Sequence, residues 1–237
     1  MNSCDSVSKS LKNVSSPDKA KILQRFFKTS KGEYGYGDVF IGVVVPVIRK
    51  ISKKCTNISL KECEKLLHSR IHEERLASLF ILSEKFLKGN DFIRTKIVRL
   101  YLKNIPFVNN WDLVDSSAHK ILGRYLLDKN RNILFTLARS KNLWARRISI
   151  ISTLEFIRNK QYDDSLKISE ILLNDNHDLI HKAVGWILRE VGKKDRKSLE
   201  IFLNKYSATM PRTMLRYAIE KFSKKDRTEY IKTSKKL

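Results

Sequence analysis

The sequence predicts an all-α fold, and three observations support this prediction. The chain has 237 residues, of which 42% are hydrophobic, so it is long and apolar enough to bury a sizeable core. Helix breakers are rare, with 8 Gly and 4 Pro. Apolar residues recur with helical periodicity in segments of roughly 10 to 18 residues, and no segment shows the sustained alternation of a strand. We expect one domain over residues 1–237, with residues 1–15 less ordered than the rest.

Capping patterns predict where the first helices begin. Ser16 followed by Pro17 is typical of an N-cap and first-turn pair, and we expect this helix to run to about Thr29. Ser59 with Glu62 three residues later has the pattern of a capping box. Both patterns mark helix starts, because each places a side-chain acceptor where backbone N–H groups have no partner within the helix.

Short polar turns divide the rest of the chain into segments of similar length. They lie at residues 89–90, 109–110, 128–130, 140–142, 174–176 and 192–195. The spacing predicts antiparallel helix pairs of about 40 residues each, as in a HEAT-like repeat array, and the chain accommodates about six pairs. Such an α-solenoid is a superhelix with a concave inner face. We expect this face to be basic and able to hold duplex DNA.

One stretch departs from the helical pattern. Gly32, Gly35 and Gly37 precede the apolar run 39–45, and Pro46 follows it. The glycines do not form a dinucleotide-binding fingerprint, because the GxGxxG order is absent and a helix precedes them. We interpret the stretch as a loop that enters a helix after Pro46. A short buried strand over residues 43–45 is the alternative.

The charge of the chain indicates a polyanionic partner. Lys and Arg number 48 against 25 Asp and Glu, which gives a net charge of +23. Nucleic acid is the first candidate for such a basic chain, and a membrane surface is less favoured. The alternative is a coding bias toward A and T that enriches lysine on solvated helix faces. Such a bias would not deplete acidic residues, so the excess still indicates a partner.

Other classes of protein and site lack support in the sequence. No apolar run reaches the roughly 18 residues that span a bilayer, and residues 1–10 lack the basic-then-apolar order of a secretion signal, so we expect a cytoplasmic protein. The three cysteines show no paired spacing for a disulfide framework or a zinc site. Among the histidines, only His177 and His181 have a metal-like spacing, and no third ligand lies near them. We expect no metal and no organic cofactor.

Three tryptophans recur at intervals of 33 and 42 residues, each within a helical segment. Trp111 and Asp115 are four residues apart, so their side chains project from one helix face. Trp144 shares a face with Arg147, whereas Arg146 lies on the far side. A single tryptophan is more often a core residue than a ligand-binding one. Their combination with charged neighbours indicates a binding surface.

The third tryptophan lies in the most suggestive helix. Trp186 shares a face with Lys182 and Arg189, and Gly185 would allow another group to approach the backbone closely. Farther along the chain, Arg212 and Arg216 are four residues apart on a predicted helix. All four basic residues are candidates for phosphate contacts, and a solvated basic face is the alternative.

Several segments together resemble the DNA alkylation repair family, the AlkD-type HEAT-like-repeat DNA glycosylases. The segments are WDLVDSS, LWARR, KAVGWILRE, MPRTMLRYAIEKF and GEYGYGDVFIGVVVPVIRK. The likeness covers nearly the whole chain. It implies that Trp111, Asp115 and Trp186 are the catalytic residues of the cleft and that Arg147 is the phosphate-binding arginine. It gives Trp144 no such role.

The resemblance implies a monofunctional glycosylase that removes cationic N3- or N7-alkylated purines, such as 3-methyladenine or 7-methylguanine, from duplex DNA. Family members act without a closed base-flipping pocket, and we expect a monomer that binds alkylated double-stranded DNA. The alternative is a non-catalytic HEAT-repeat module that binds damaged or branched DNA. A pure binder would need Arg147 but not the carboxylate of Asp115, which repels phosphate. A third possibility, a protein-binding solenoid, predicts no salt-dependent DNA affinity.

Overall fold

The computed structural model describes residues 3–233. The chain divides into two compact units, residues 1–117 and 118–237. Within the described residues there is no β-strand, and the one strand-like feature there is an isolated parallel bridge between Val39 and Ile71. The predicted all-α fold class is therefore confirmed, whereas the prediction of a single domain over 1–237 stays a prediction.

The first unit is built around its longest helix. Its helices are α1 (Cys4–Lys12), α2 (Pro17–Phe26), α3 (Val45–Lys54), α4 (Leu60–Leu67), α5 (His72–Lys88), α6 (Asp91–Lys103) and α7 (Trp111–Ala118), with a 3₁₀ turn at Ile105–Phe107. Helix α5 packs against α1, α3, α4 and α6. It is buried on nearly all sides over its first eleven residues, including the charged side chains near its start. A helix enclosed in this way lacks a solvent face, which explains the apolar run at its centre.

The amino-terminal segment contains a helix that packs into the first unit. Residues 1–15, predicted to be less ordered, contain α1, and its Val7 and Leu11 are fully buried. The carboxylate of Glu62 accepts the backbone N–H of Cys4 at 2.8 Å, which anchors the start of α1 to α4. Burial of two apolar side chains and this bond hold the segment. Met1 and Asn2 lie outside the described residues.

The predicted helix starts are confirmed. Ser16 accepts the N–H of Lys19 at 3.5 Å at the start of α2, and Ser59 accepts that of Glu62 at 3.2 Å at the start of α4. Helix α2 ends at Phe26, earlier than predicted. The predicted loop is also confirmed, because residues 28–44 contain no helix or strand, and α3 begins at Val45, one residue before Pro46.

The second unit consists of shorter helices around α12. They are α8 (Asn132–Ala138), α9 (Leu143–Ser152), α10 (Leu154–Arg158), α11 (Asp163–Ile171), α12 (Asp178–Lys194), α13 (Arg196–Tyr206), α14 (Arg212–Ala218) and α15 (Lys224–Thr233), and a π-helical turn at His119–Gly123 precedes them. Helix α12 packs against α9, α13 and α14. It supplies a continuous row of buried apolar side chains to this core.

Two glycines of α12 allow neighbouring helices to come close. The turn predicted over 192–195 is shorter than predicted, because α12 continues to Lys194 and α13 begins at Arg196. A Cβ on Gly192 would lie 2.3 Å from Cδ2 of Leu199, so this glycine makes room for α13. A Cβ on Gly185 would lie 2.5 Å from the carbonyl oxygen of Met214 and 2.5 Å from Cβ of Tyr217. The sequence predicts that another group approaches the backbone at Gly185, and in the structure this group is helix α14.

Between residues 3 and 233, no helix is both long and apolar enough to cross a bilayer. No three His, Cys, Asp or Glu side chains in that range are arranged to hold a metal ion.

Candidate nucleic-acid site

An open cavity of about 510 Å³ lies within the first unit, and its walls are predominantly apolar. Aromatic side chains from the end of α2, the loop before α3 and the start of α7 line it. They are Phe26, Phe27, Phe40 and Trp111. Aliphatic residues 43–46 form another part of the wall, and Asp112 and Asp115 supply carboxylates. The cavity thus combines aromatic faces with negative charge.

The aromatic wall is a stack centred on Phe27. The ring of Phe27 lies between those of Phe40 and Trp111, with centroids 4.9 Å and 5.1 Å away and planes inclined by 16° and 18°. Phe26 meets the Trp111 indole edge-on, with the centroids 5.9 Å apart. Phe26 is 62% exposed, whereas Phe27 and Phe40 are buried. The indole is therefore supported from the protein side by rings that cannot easily shift.

Helix α7 brings two of the predicted catalytic residues into the same wall. Trp111 is its first residue, Asp115 follows one turn later, and both line the cavity. Leu113 and Val114, between them, are fully buried and hold the helix against the core. The helical spacing of four residues thus places both side chains on the face of α7 that lines the cavity.

The loop wall of the cavity is held by a buried glutamate. The carboxylate of Glu73, on the first turn of α5, accepts the backbone N–H groups of Ile41, Gly42 and Val43 at distances from 2.8 to 3.2 Å. Gly42 has φ +82°, and a Cβ there would lie 2.0 Å from the carbonyl oxygen of Ser16. The loop can pass α2 only because this residue is glycine.

A buried charged cluster lies beside the aromatic stack. The His72 ring bonds to Asp38 through Nδ1 at 3.0 Å and to Asp112 through Nε2 at 2.8 Å. The guanidinium of Arg75 lies 2.6 Å from the other oxygen of Asp38, and Asn110 donates to Asp38 at 3.4 Å. Two carboxylates thus balance two cationic groups in the interior.

The electrostatics of this cluster favour a protonated histidine. Burial disfavours the charged imidazole, but the charge and hydrogen bond of Asp112 and the bond to Asp38 outweigh it and raise the pKa of His72 to about 9. Burial also acts to raise the pKa of Asp38, but the bond from His72 and the charge of Arg75 lower it overall. Both pKa shifts favour the charged forms of His72 and Asp38, which are the forms that make the ion pairs of the cluster.

The other predicted site residues lie in the second unit. Arg147 is only 5% exposed, and its guanidinium donates to the backbone carbonyl of Leu179. Trp144 is buried next to it in α9, as expected for a core tryptophan. Trp186 is half-buried in the middle of α12. The structure therefore fixes the orientation of Arg147 from within the protein.

The basic residues of α12 and α14 differ in their surroundings. Lys182 pairs with Asp178 at 2.7 Å on an exposed part of α12. Arg189 is engaged more firmly, because its guanidinium contacts Glu220 and lies 3.4 Å from Glu190. Arg212 and Arg216 are both exposed on α14. The helical spacing of four residues places these two arginines on one face.

Sequence reasoning missed most of the cavity. Phe27, Phe40, His72, Glu73 and Asp112 were not among the predicted site residues, although they build its walls. Two features of the sequence could have pointed to these residues, because neither fits a simple amphipathic pattern: the adjacent pair Phe26 and Phe27, and the adjacent pair His72 and Glu73. Their convergence depends on the packing of distant segments.

Comparisons with known proteins show the family and the fold of the chain. Residues 7–222 match the family described as "DNA alkylation repair enzyme". A predicted DNA alkylation repair enzyme from Enterococcus faecalis is similar in structure, with a TM-score of 0.67, 17% identity and coverage of 89% of this chain and 97% of that chain. No curated protein matches the chain.

Two structures from Streptococcus mutans are also similar. The first is AlkD2, with a TM-score of 0.51, 15% identity and coverage of 99% of this chain and 96% of that one. The second is smu.31, with a TM-score of 0.50, 16% identity and coverage of 99% and 98%. At these identities the likeness shows the fold alone, which is the predicted HEAT-like-repeat class. Because the family match spans most of the sequence, this chain belongs to the DNA alkylation repair enzyme family.

Proposed function

We propose that the protein is a DNA glycosylase that hydrolyses the bond between deoxyribose and a cationic N3- or N7-alkylated purine in duplex DNA, such as 3-methyladenine or 7-methylguanine. The observation that carries the proposal is the position of Trp111 and Asp115, one turn apart on α7 in the wall of an aromatic cavity. Membership of the DNA alkylation repair family and the net charge of +23 support it.

The chemistry requires stabilisation of the sugar rather than of the base. An alkylated purine already carries a positive charge, so it leaves as a neutral base when it takes the electrons of the C1′–N bond. Positive charge then develops on the deoxyribose. An ionised Asp115 and the face of the Trp111 indole would stabilise this charge, and Asp115 would orient the water that bonds to C1′.

The surroundings of Asp115 favour this role. The walls around it are largely apolar, and Phe27 and Phe40 exclude water from the protein side of the stack. An electrostatic interaction is stronger in such an environment than in bulk water. Because the departing base needs no general acid, the carboxylate of Asp115 and the indole of Trp111 are the groups that this unit has to supply. We propose that the reaction uses neither a metal nor an organic cofactor.

The residues of the second unit are proposed to bind the DNA. Arg147 would bind the phosphate of the lesion strand through the guanidinium N–H groups that do not bond to the Leu179 carbonyl, and because it is only 5% exposed this contact requires the surface above it to open. Trp186 would present a second indole to the sugar. Lys182, Arg189, Arg212 and Arg216 would contact other phosphates, and for Arg189 this requires exchange of its contact with Glu220. We propose that the protein acts as a monomer.

The decisive experiment compares the wild type with Asp115→Asn. Each is incubated with methylated duplex DNA, and the free methylpurines are quantified by mass spectrometry, while DNA affinity is measured separately. We expect the wild type to release methylpurines and Asp115→Asn to lose most of the activity while it retains DNA affinity. The control is Asp91→Asn, which changes an exposed carboxylate at the start of α6. Tight binding by the wild type without release would favour a non-catalytic DNA-binding module.

A further inference from the structure

His72 occupies a singular position beside the cavity. It is the first residue of α5, and only 1% of it is exposed. Its ring stacks on Phe40 with centroids 4.4 Å apart and lies 5.1 Å from the ring of Phe27. Its two nitrogens bond to Asp38 and Asp112, which belong to different segments. One side chain therefore contacts the loop wall, the aromatic stack and α7 at once.

The two bonds of the ring require two protons. A neutral imidazole has one N–H group, whereas the imidazolium has two, and an ionised carboxylate can only accept. Arg75 lies 2.6 Å from Asp38, which favours the ionised form of this acid. Both nitrogens lie within hydrogen-bond distance of a carboxylate oxygen. The geometry is thus that of an imidazolium that donates to Asp38 and Asp112.

The segments that this imidazolium joins carry the proposed chemistry. Asp112 immediately follows Trp111 and precedes Asp115 by three residues on α7. Asp38 begins the stretch that leads through Phe40 to the residues held by Glu73. The two ring nitrogens of His72 therefore link the loop wall, through Asp38, to α7, through Asp112.

We propose that His72 is a positioning residue of this site: as an imidazolium it ties Asp38 to Asp112 and so holds the Trp111 indole and the Asp115 carboxylate in the geometry that excision requires. The catalytic part of this inference rests on the proposed glycosylase function. Its structural part, the dependence of Trp111 on the charge of His72, does not.

The charged groups around the ring determine the response to pH. Asp38 faces it from the loop and Asp112 from α7, while Arg75 lies on the same helix one turn later and Glu73 bonds to residues 41–43 instead. Above a pH of about 9 the ring loses a proton and can donate to only one of the two carboxylates. We expect the position of Trp111 to change over this range.

The first test measures His72→Gln in single-turnover excision with enzyme in excess. The glutamine NH₂ group can donate to one carboxylate, but the glutamine oxygen then faces the other carboxylate. Because both are acceptors, that second hydrogen bond is lost. We expect the rate to fall roughly 10- to 100-fold, as for a small misplacement of reacting groups, while DNA affinity stays within about twofold. The matched control is Ser78→Ala, also on α5, which removes a buried hydrogen bond to the carbonyl of Cys63 in α4. A folded His72→Gln variant with the wild-type rate would overturn the positioning role.

The second test does not depend on activity. The tryptophans are labelled with a fluorine atom, and the resonance of Trp111 is assigned with Trp111→Phe. We expect this resonance to shift with a midpoint near pH 9 in the wild type and in Ser78→Ala, but not in His72→Gln. If His72→Gln does not fold, the test uses Asp112→Asn instead. In that variant the Trp111 resonance should shift at a lower pH than in the wild type, because His72 has lost one of its two carboxylate partners.

The outcomes separate this inference from the proposed function. A Trp111 resonance that does not shift near pH 9 in the wild type would refute the link to His72, whether or not the protein excises bases. A resonance that shifts as expected in a protein without excision would refute the glycosylase and retain the link. A shift near pH 9 in the wild type, together with a loss of rate in His72→Gln, supports both.

Discussion

The ring of Phe27 stacks on the indole of Trp111, with the centroids 5.1 Å apart and the planes inclined by 18°. Phe27 directly follows the last residue of α2, and it also stacks on Phe40 from the loop. The orientation of a residue proposed to contact the sugar therefore depends on a ring from a different part of the chain.

Replacement of Phe27 by leucine should weaken both the fold and the site. The change removes two stacking contacts, each worth roughly 0.5 to 1.5 kcal/mol, and leaves the indole less restrained. We expect the free energy of unfolding to fall by about 2 kcal/mol and the excision rate to fall roughly tenfold. Chemical denaturation and single-turnover assays measure these effects. The control is Phe92→Leu, at an exposed phenylalanine on α6, and equal effects of both changes would contradict the role of the stack.

Glu73→Gln should release the loop wall. One oxygen of the carboxylate accepts all three backbone N–H groups, and the other lies 3.1 Å from the nitrogen of Ile41. An amide would remove the negative charge from these bonds and turn a donor toward the N–H of Ile41. We expect a loss of roughly 2 kcal/mol in stability and faster hydrogen exchange at residues 41–43. Glu84→Gln, on the same helix, is the control and should leave the exchange of these amides unchanged. Unaltered exchange in Glu73→Gln would show that the loop is held by other contacts.

DNA binding should depend steeply on salt. If about six phosphates are neutralised, affinity for duplex DNA should fall roughly a thousandfold between about 50 and 200 mM salt. The slope of log affinity against log salt concentration reports the number of neutralised phosphates. We expect the double change Arg212→Gln with Arg216→Gln to reduce this slope by about two units, whereas Lys65→Gln should not alter it. Fluorescence anisotropy at several salt concentrations measures the slope. A flat response in the wild type would exclude DNA as the partner.

His119 should make the protein less stable in acid. Burial, together with Arg158 and Lys120, lowers the pKa of His119 to about 3, and Arg158 donates to its Nδ1 at 3.1 Å. The neutral ring therefore contributes stability that is lost as the pH falls from about 6.5 toward 3, at about 1.4 kcal/mol per unit. We expect His119→Gln to flatten the dependence of unfolding free energy on pH between 6.5 and 4.5. His68→Gln, at an exposed histidine, should retain the wild-type slope.

The local features of the fold were predictable from the sequence. Ser16 and Ser59 mark helix starts because capping is a contact between residues three apart. Trp111 and Asp115 were predicted to share a face for the same reason, since helical periodicity alone decides it. The glycines of α12 were harder to interpret. Gly192 has the signature of a turn, yet it lies within α12, because what it accommodates is a leucine from the next helix.

The cavity could not be predicted in the same way. Phe27, Phe40 and Trp111 are separated by long stretches of chain, and their stacking depends on how those stretches pack. The role of Glu73 is equally hidden, because a glutamate near a helix start is an ordinary helix-stabilising residue. Here it is the anchor of a loop thirty residues away. Long-range hydrogen bonds of this kind leave no periodic signal in a single sequence.

The anchoring of the loop by Glu73 also imposes an order on folding. Residues 41–43 leave the ribosome before α5 exists, so the backbone groups that Glu73 will bind remain exposed to solvent during that interval. The loop can take its native path only after the first turn of α5 has formed, and α7 must emerge later still to close the aromatic stack. During synthesis, residues 41–43 therefore emerge about thirty residues before the glutamate that fixes their path.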